Sequence, residues 1–303
     1  MFHVELMMKK NKSKLLYKVR DHLVSQEFFD IYWDEKEQFG WTDLKNTSDL
    51  SAYYLSEEYY SHQEQSKTLI QKIYSFARGL MFHYKHNIIS PLLFKGARIL
   101  DVGSGTGDFL SFMKSKGYEV TGVENNPKAS LISQKNYIKT HESITELPDN
   151  SFDLITLWHV LEHLPDPEET FKNMFNLLNN SGYLIVSFPN VYSLDKEHYC
   201  ENWAGFDVPR HLWHFSTPFL INLAGKYNFE LISSKPLLLD ALYISFLSEK
   251  HKGSRFSFLR GMVKGVYFNL RALRSRRYST LVYVFKKQAP QRSISASFPK
   301  KNY

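Results

Sequence analysis

The stretch that most limits the fold runs over residues 99–110, ILDVGSGTGDFL: an apolar run broken by an acid, then glycines at 103, 105 and 107. Glycine lets a chain leave a strand sharply and lets its backbone touch a ligand where a Cβ would intrude. Two classes of nucleotide cofactor use such a turn. The dinucleotide form is G-x-G-x-x-G, with a helix N-terminus facing a pyrophosphate. Here the spacing is G-x-G-x-G, and Asp108 stands where two negative phosphates would lie. Like charge disfavours a dinucleotide, so an NAD-dependent oxidoreductase is the second reading. An adenosine with a positive centre and no phosphate is the first.

From residue 97 onward, short apolar segments alternate with amphipathic ones, which predicts a parallel sheet with crossover helices. Strands are expected at 97–103, 119–125, 151–158, 182–189, 229–236 and 281–287, with a short one near 141–144. Helices are expected at about 107–116, 127–139, 167–179 and 217–227, with Pro127, Pro167 and Pro218 near three starts, where a missing amide costs little. A long insertion, 238–280, precedes the final strand and makes it an added, antiparallel one. Residues 17–95 are rich in aromatics and read as helical, with Ser56 as a cap and Leu69, Ile73, Phe76 and Leu80 on one face. The division expected is a helical cap over 1–95, an α/β domain over 96–288 and a disordered tail over 289–303.

With 43% hydrophobic residues in 303, the chain can bury a sizeable core. A lone cysteine, Cys200, excludes an internal disulfide framework and fits a reducing compartment, so the cytoplasm is expected. No apolar window approaches the roughly 20 residues of a membrane helix, and the N-terminus lacks the layout of a secretory signal. The net charge of +7 concentrates between Lys250 and Arg277, a segment without Asp or Glu. Apolar residues interleave there, an amphipathic character suited to an anionic membrane surface or an acidic substrate. No RNA-binding module is recognisable, which ranks nucleic acid third.

The glycine run, with Asp101 two residues before Gly103, resembles the first motif of the class I S-adenosylmethionine-dependent methyltransferases. The resemblance continues through LPDNSFDLITLWHVLEHLPDP and GYLIVSFPN and covers residues 97–235. It implies a Rossmann-like, seven-stranded, mostly parallel sheet with an antiparallel last strand. It also implies a donor held by Asp101, Gly103, Ser104, Gly105 and Gly107, with Glu124 and Asn125 at the ribose and Trp158 and His159 at the end of the fourth strand. Where the family often places an acid near the adenine, this chain has Ser143, which leaves the backbone of Ser143 and Ile144 for that contact. WAGFDVPRHLWHFS resembles a segment of a bacterial branch associated with cell-surface sugar and lipid biosynthesis. YYLSEEYYSHQ, SEKHKGS and LVYVFKK resemble a Bacteroidetes-type subgroup of it. The implied activity is O-methylation of a small molecule or a sugar or lipid intermediate; a non-catalytic protein that binds the same cofactor is an alternative.

HVLEH, residues 159–163, matches H-x-x-E-H, in which two histidines one helical turn apart bind zinc beside a glutamate base. A zinc hydrolase using His159, Glu162 and His163 is thus a rival. The motif needs a long helix, however, and this one starts at a strand end and is stopped by Leu164-Pro165-Asp166-Pro167. No metal ligand is therefore assigned, and Trp158 and His159 are expected to line a pocket. Arg210, His211 and His214 follow the fifth strand of the α/β pattern and can reach the same crevice. Arg210 would contact substrate and either histidine would remove its proton; alternatively they cap the next helix and pair with a core carboxylate. Tyr59, Tyr60 and His62 are candidates for a lid over the substrate, or for core.

Overall fold

The computed structural model describes residues 13–45, 50–54 and 69–289, the side chains of 69–76 excepted. Its larger sheet has seven strands: β4 (Arg98–Val102), β5 (Glu119–Val123), β6 (Lys139–His141), β7 (Phe152–Trp158), β8 (Leu178–Pro189), β10 (Phe229–Pro236) and β11 (Thr280–Lys287). They lie in the order β10-β11-β8-β7-β4-β5-β6. β4 to β8 are parallel, and β11 runs antiparallel between β8 and β10. The Rossmann-like class and the antiparallel last strand are as expected. Strand β4 sits in the middle, so Leu100 is buried on one face and Ile99 on the other, each in a different apolar cluster. A strand covered on both faces explains a continuous apolar run without alternation.

The helices α2 (Asp108–Ser115), α3 (Pro127–Lys135), α4 (Pro167–Leu177) and α6 (Thr217–Lys226) fall where the pattern put them. Each of the last three starts on a proline at the first or second position behind an Asn or Asp or Ser cap. Between β8 and β9 (Trp213–Phe215) lies a short helix α5 (Leu194–Tyr199). The basic insertion is a helical hairpin, α7 (Leu238–His251) and α8 (Ser257–Ser275). Gly261 and Gly265 face α7 so closely that added Cβ atoms would lie 2.3 Å from the Phe246 Cα and 2.7 Å from the Ala241 carbonyl oxygen. Docked by that face, α8 turns Leu259, Val263, Val266, Leu270 and Leu273 outward, each at least half exposed.

The N-terminal region departs from expectation. Among its described residues, α1 (Leu69–Ile89) and one 3-10 turn (Ser51–Tyr54) are helical, while residues 14–43 form β1 (Lys14–Arg20), β2 (Phe28–Asp34) and β3 (Phe39–Asp43). These pair antiparallel with β9 (Trp213–Phe215) in a second sheet, order β1-β2-β3-β9. The period of the aromatics is two: Phe29, Ile31 and Trp33 are buried while Asp30, Tyr32 and Asp34 are less so. That is strand spacing, and the turn Glu35–Gln38 between two such runs makes a hairpin. In α1, Leu80 is half exposed and Ile89 fully buried, so the inward face includes Ile89 in place of Leu80. Ser56 lies outside the described residues.

The two sheets share one core. Phe39, Trp41, Trp213 and Phe215 cluster with Leu157, Val186 and Phe188, and the rings of Phe188 and Phe215 are 5.1 Å apart. A buried cation ties the end of β1 to the loop that leads into β9. All three guanidinium nitrogens of Arg210 are engaged: Nε and Nη2 donate to Asp207, Nη1 to the Tyr53 carbonyl, and Nη2 also to Asp21 at 3.0 Å. Asp21 itself accepts the amides of Leu23 and Ser25, and its carboxyl stays below the usual range because these bonds and Arg210 outweigh burial. Arg210→Leu strands Asp21 without its countercharge; a loss of about 3–5 kcal/mol is expected, read as a lower urea midpoint. An unchanged midpoint would contradict this account of the clamp.

Candidate active site

At the carboxyl end of β4 the chain turns through Gly103, Gly105 and Gly107, with φ of 70°, 54° and 75°. The amides of Gly103 and Ser104 donate to the Val123 carbonyl, folding the turn over the end of β5. The glycines have different duties. A Cβ at Gly103 would strike Val160 at 2.5 Å and one at Gly107 would strike the Ser133 Oγ at 2.4 Å, whereas at Gly105 nothing lies within 4 Å. Two are bare for packing, and Gly105 is bare against open space.

Glu124, just past β5, holds that turn in shape. Its Oε2 accepts the Gly105 amide at 2.8 Å and its Oε1 the Asn126 amide at 2.7 Å. Each oxygen keeps a further lone pair, so the carboxylate can still receive two neighbouring hydroxyls. Asn126 caps α3, and Asn125 beside it is exposed. Asp108 heads α2, where it accepts from Thr106 Oγ1 at 3.0 Å and from Arg78 of α1 at 2.7 Å. The helix terminus a pyrophosphate would need is thus already occupied by an acid. The Ser104 Oγ is buried beside Gly122 with no hydrogen bond among the described residues. Beyond β6, Ser143 caps a short turn: its Oγ accepts the Thr145 amide while its own amide donates to Glu146, and Ile144 follows within that turn.

Four charged groups gather at the strand ends. Asp101 is buried and accepts from Thr156 Oγ1 at 2.6 Å. Burial pushes its carboxyl up to about 7, with Thr156 and Lys85 opposing and Glu124 reinforcing the rise. Lys85, from α1, sets its ammonium 4.1 Å from the Trp158 ring centroid and 5.3 Å from that of Phe109. Desolvation brings it down to about 8 against the pull of Asp101 and Asp240. His159 follows β7 with a left-handed φ of 56° and places Nε2 2.9 Å from Asp240, in the first turn of α7. Its Nδ1 stands 3.4 Å from Glu162. Burial disfavours its charge, but these two carboxylates overcome that and push it up to about 10. The sequence reading missed Lys85 and Asp240; a single lysine in an aromatic helix and a single acid in an apolar one were the only signals.

The other candidates are placed elsewhere. HVLEH forms no long helix: residues 161–163 make one tight turn, and Glu162 is buried beside His163 and His211. His211 donates from Nδ1 to the Gly205 carbonyl at 2.9 Å. Burial and the neighbouring His163 push its pKa down to about 4. His214 belongs to the small sheet: Thr42 gives its hydroxyl proton to the His211 carbonyl, so His214 Nε2 donates to Thr42 Oγ1 at 3.0 Å. Arg210 is consumed in the clamp with Asp21, Tyr53 and Asp207, which engages all three of its nitrogens. Tyr59, Tyr60 and His62 lie outside the described residues.

The geometry fits the cofactor that the glycine motif implies: an open backbone at Gly105, a carboxylate for vicinal hydroxyls, a buried acid for an ammonium group and an acid at the helix start that repels phosphate. Curated relatives include the ubiquinone biosynthesis O-methyltransferase of Paracidovorax citrulli, 30% identical over 113 residues, which are 34% of this chain and 47% of that one. The ubiquinone/menaquinone biosynthesis C-methyltransferase of Vibrio cholerae is 30% identical over 105 residues, 30% of this chain and 40% of its own. The chain thus spans about half the length, or less, of these relatives. Among solved structures, an S-adenosylmethionine-dependent methyltransferase from Thermotoga maritima aligns at TM-score 0.50 and 19% identity, over 72% of this chain and 94% of its own. A cyclopropane synthase from Mycobacterium tuberculosis gives TM-score 0.50 at 13% identity, over 78% and 95%. These likenesses bear on the fold. The family model described as a methyltransferase domain matches residues 73–234, more than half of the sequence, and the chain belongs to that methyltransferase family.

Proposed function

We propose that the protein transfers the methyl group of S-adenosylmethionine to an oxygen of a small, lipid-like biosynthetic intermediate. The observation that carries the cofactor is the paired geometry of Gly105 and Glu124, a bare backbone position flanked by a carboxylate with lone pairs to spare. The bound cofactor supplies an electrophilic methyl on a cationic sulfur with a neutral leaving group. Glu124 takes the ribose hydroxyls, Asp101 the ammonium end and Lys85 the carboxylate end of the donor. Trp158, under Lys85, walls the crevice and excludes water, so the protein's main contribution is alignment. The relatives named for ubiquinone biosynthesis favour an apolar acceptor.

The exposed stripe of α8 supports delivery of that acceptor from a membrane. Leu259, Val263, Val266, Leu270 and Leu273 form one apolar face, and Lys264, Arg271 and Arg274 stand on the same helix. Such a helix suits an anionic bilayer surface. None of the described helices is long and apolar enough to cross a membrane.

Three outcomes are expected. Titration calorimetry with S-adenosylhomocysteine shows binding that falls at least about tenfold in Glu124→Ala, the loss of two charge-assisted hydrogen bonds; equal affinity in wild type and variant removes the cofactor reading. Affinity rises with pH through about 7 as Asp101 ionises. Because folding raises this acid's pKa, the unfolded chain releases the proton first, and stability contributed by Asp101 falls between about pH 4 and 7. Asp101→Asn flattens both trends. The full chain sediments with vesicles containing an anionic phospholipid and not with neutral ones, less so at high salt. Val263→Asp with Val266→Asp abolishes the sedimentation; binding indifferent to these changes excludes α8 as the contact.

A further inference from the structure

Glu162 is buried, and neither of its carboxylate oxygens receives a hydrogen bond among the described residues. A buried carboxylate left in this state is costly unless a cation is supplied. Protonated His159 supplies part of that charge from 3.4 Å away, but its Nε2 is committed to Asp240 and both Glu162 oxygens still accept no hydrogen bond among the described residues. Two further imidazoles stand around it. His163 Nδ1 donates to the Arg210 carbonyl at 3.0 Å, and His211 Nδ1 donates to the Gly205 carbonyl at 2.9 Å. A carbonyl only accepts, so in each neutral ring the proton sits on Nδ1 and the lone pair on Nε2. This is the arrangement by which ligating histidines are oriented: one nitrogen anchored to a carbonyl, the other free for a metal.

The trio is compact. One ligand atom from each of Glu162, His163 and His211 lies within 4.8 Å of the others, and His211 Nε2 is 4.0 Å from Glu162 Oε1. The segments bearing them are stitched together, since the Leu212 amide donates to the Glu162 carbonyl at 2.8 Å and Trp213 Nε1 to the Leu164 carbonyl at 2.9 Å. Zinc bonds of about 2.0–2.1 Å to nitrogen and oxygen imply ligand separations of roughly 3.3 Å in a tetrahedron. Relative to that the cluster is open by up to about 1.5 Å, so the ion would draw Glu162 and the two rings inward.

We propose that Glu162, His163 and His211 bind one divalent transition-metal ion of the zinc class, with a fourth position left for a water or substrate oxygen. Two imidazoles and one carboxylate suit such an ion better than calcium or magnesium, which favour oxygen-only shells. The site is not the one the H-x-x-E-H spacing suggests. His159 points to Asp240, and its place is taken by His211 from the loop that ends in β9.

The test uses the full chain after dialysis against chelator. Calorimetry with zinc chloride is expected to show one tight equivalent, and cobalt chloride to give visible absorption of a low-symmetry site. His211→Ala and Glu162→Gln weaken zinc binding at least tenfold and remove the cobalt bands, while His198→Ala, an exposed histidine outside the trio, changes neither. If a variant fails to fold by circular dichroism, His163→Gln replaces it, and the cobalt spectrum of the wild type still reads the site directly. Wild-type protein that takes up no zinc, or variants that bind as wild type does, overturn the proposal. S-adenosylhomocysteine titrated into the same metal-free protein keeps this outcome separate from the cofactor reading.

Discussion

The carboxylate of Glu124 fixes the shape on which the crevice depends. It accepts one amide from the glycine turn and one from the start of α3, and so locks the ends of β4 and β5 together. The turn cannot collapse into the space before Gly105 without breaking a charge-assisted bond at its centre. Packing reinforces it, with Gly103 pressed against Val160 and Gly107 against Ser133. Binding at this corner, as proposed, would need little reorganisation, because the group that shapes the backbone also has lone pairs left to accept.

Around this rigid corner the remaining charges come from distant parts of the chain. Lys85 arrives on α1, Asp101 on β4, His159 at the end of β7 and Asp240 on the helical hairpin. Burial acts on each of them: it raises Asp101 and lowers Lys85 against their mutual attraction, whereas His159 is held protonated by its acids in spite of burial. The basic hairpin is thereby joined to the crevice, since its first turn supplies the partner of His159.

The α/β domain was legible because its signals are local. A glycine turn, prolines at helix starts and apolar runs of strand length each declare themselves within a dozen residues. Asp101, the three glycines and Glu124 were accordingly found together at one corner. What escaped depends on long-range pairing. The aromatics of residues 28–43 look alike on a helix face or a strand face until their spacing is counted, and their partner strand lies in residues 213–215. For Arg210 the alternative reading, pairing with a core carboxylate, is what the structure holds, and once that segment joins a sheet His214 is drawn to Thr42. Lys85 and Asp240 carry no pattern at all, since a single charge on an apolar helix acquires meaning only from what the fold brings opposite it.

Strand β9 is three residues long, yet it alters how the chain can be divided. The boundary near residue 95 separates two stretches of sequence but cuts through a sheet, because β3 is completed by β9 from beyond β8. A fragment beginning at residue 96 would keep β9 without its neighbour β3 and leave Trp213 without the Phe39 ring it packs against. Its natural failure would be self-association through that orphaned edge. Residues 14–43 are then not an accessory that evolution could add or drop freely: they and the 204–215 loop have to change together.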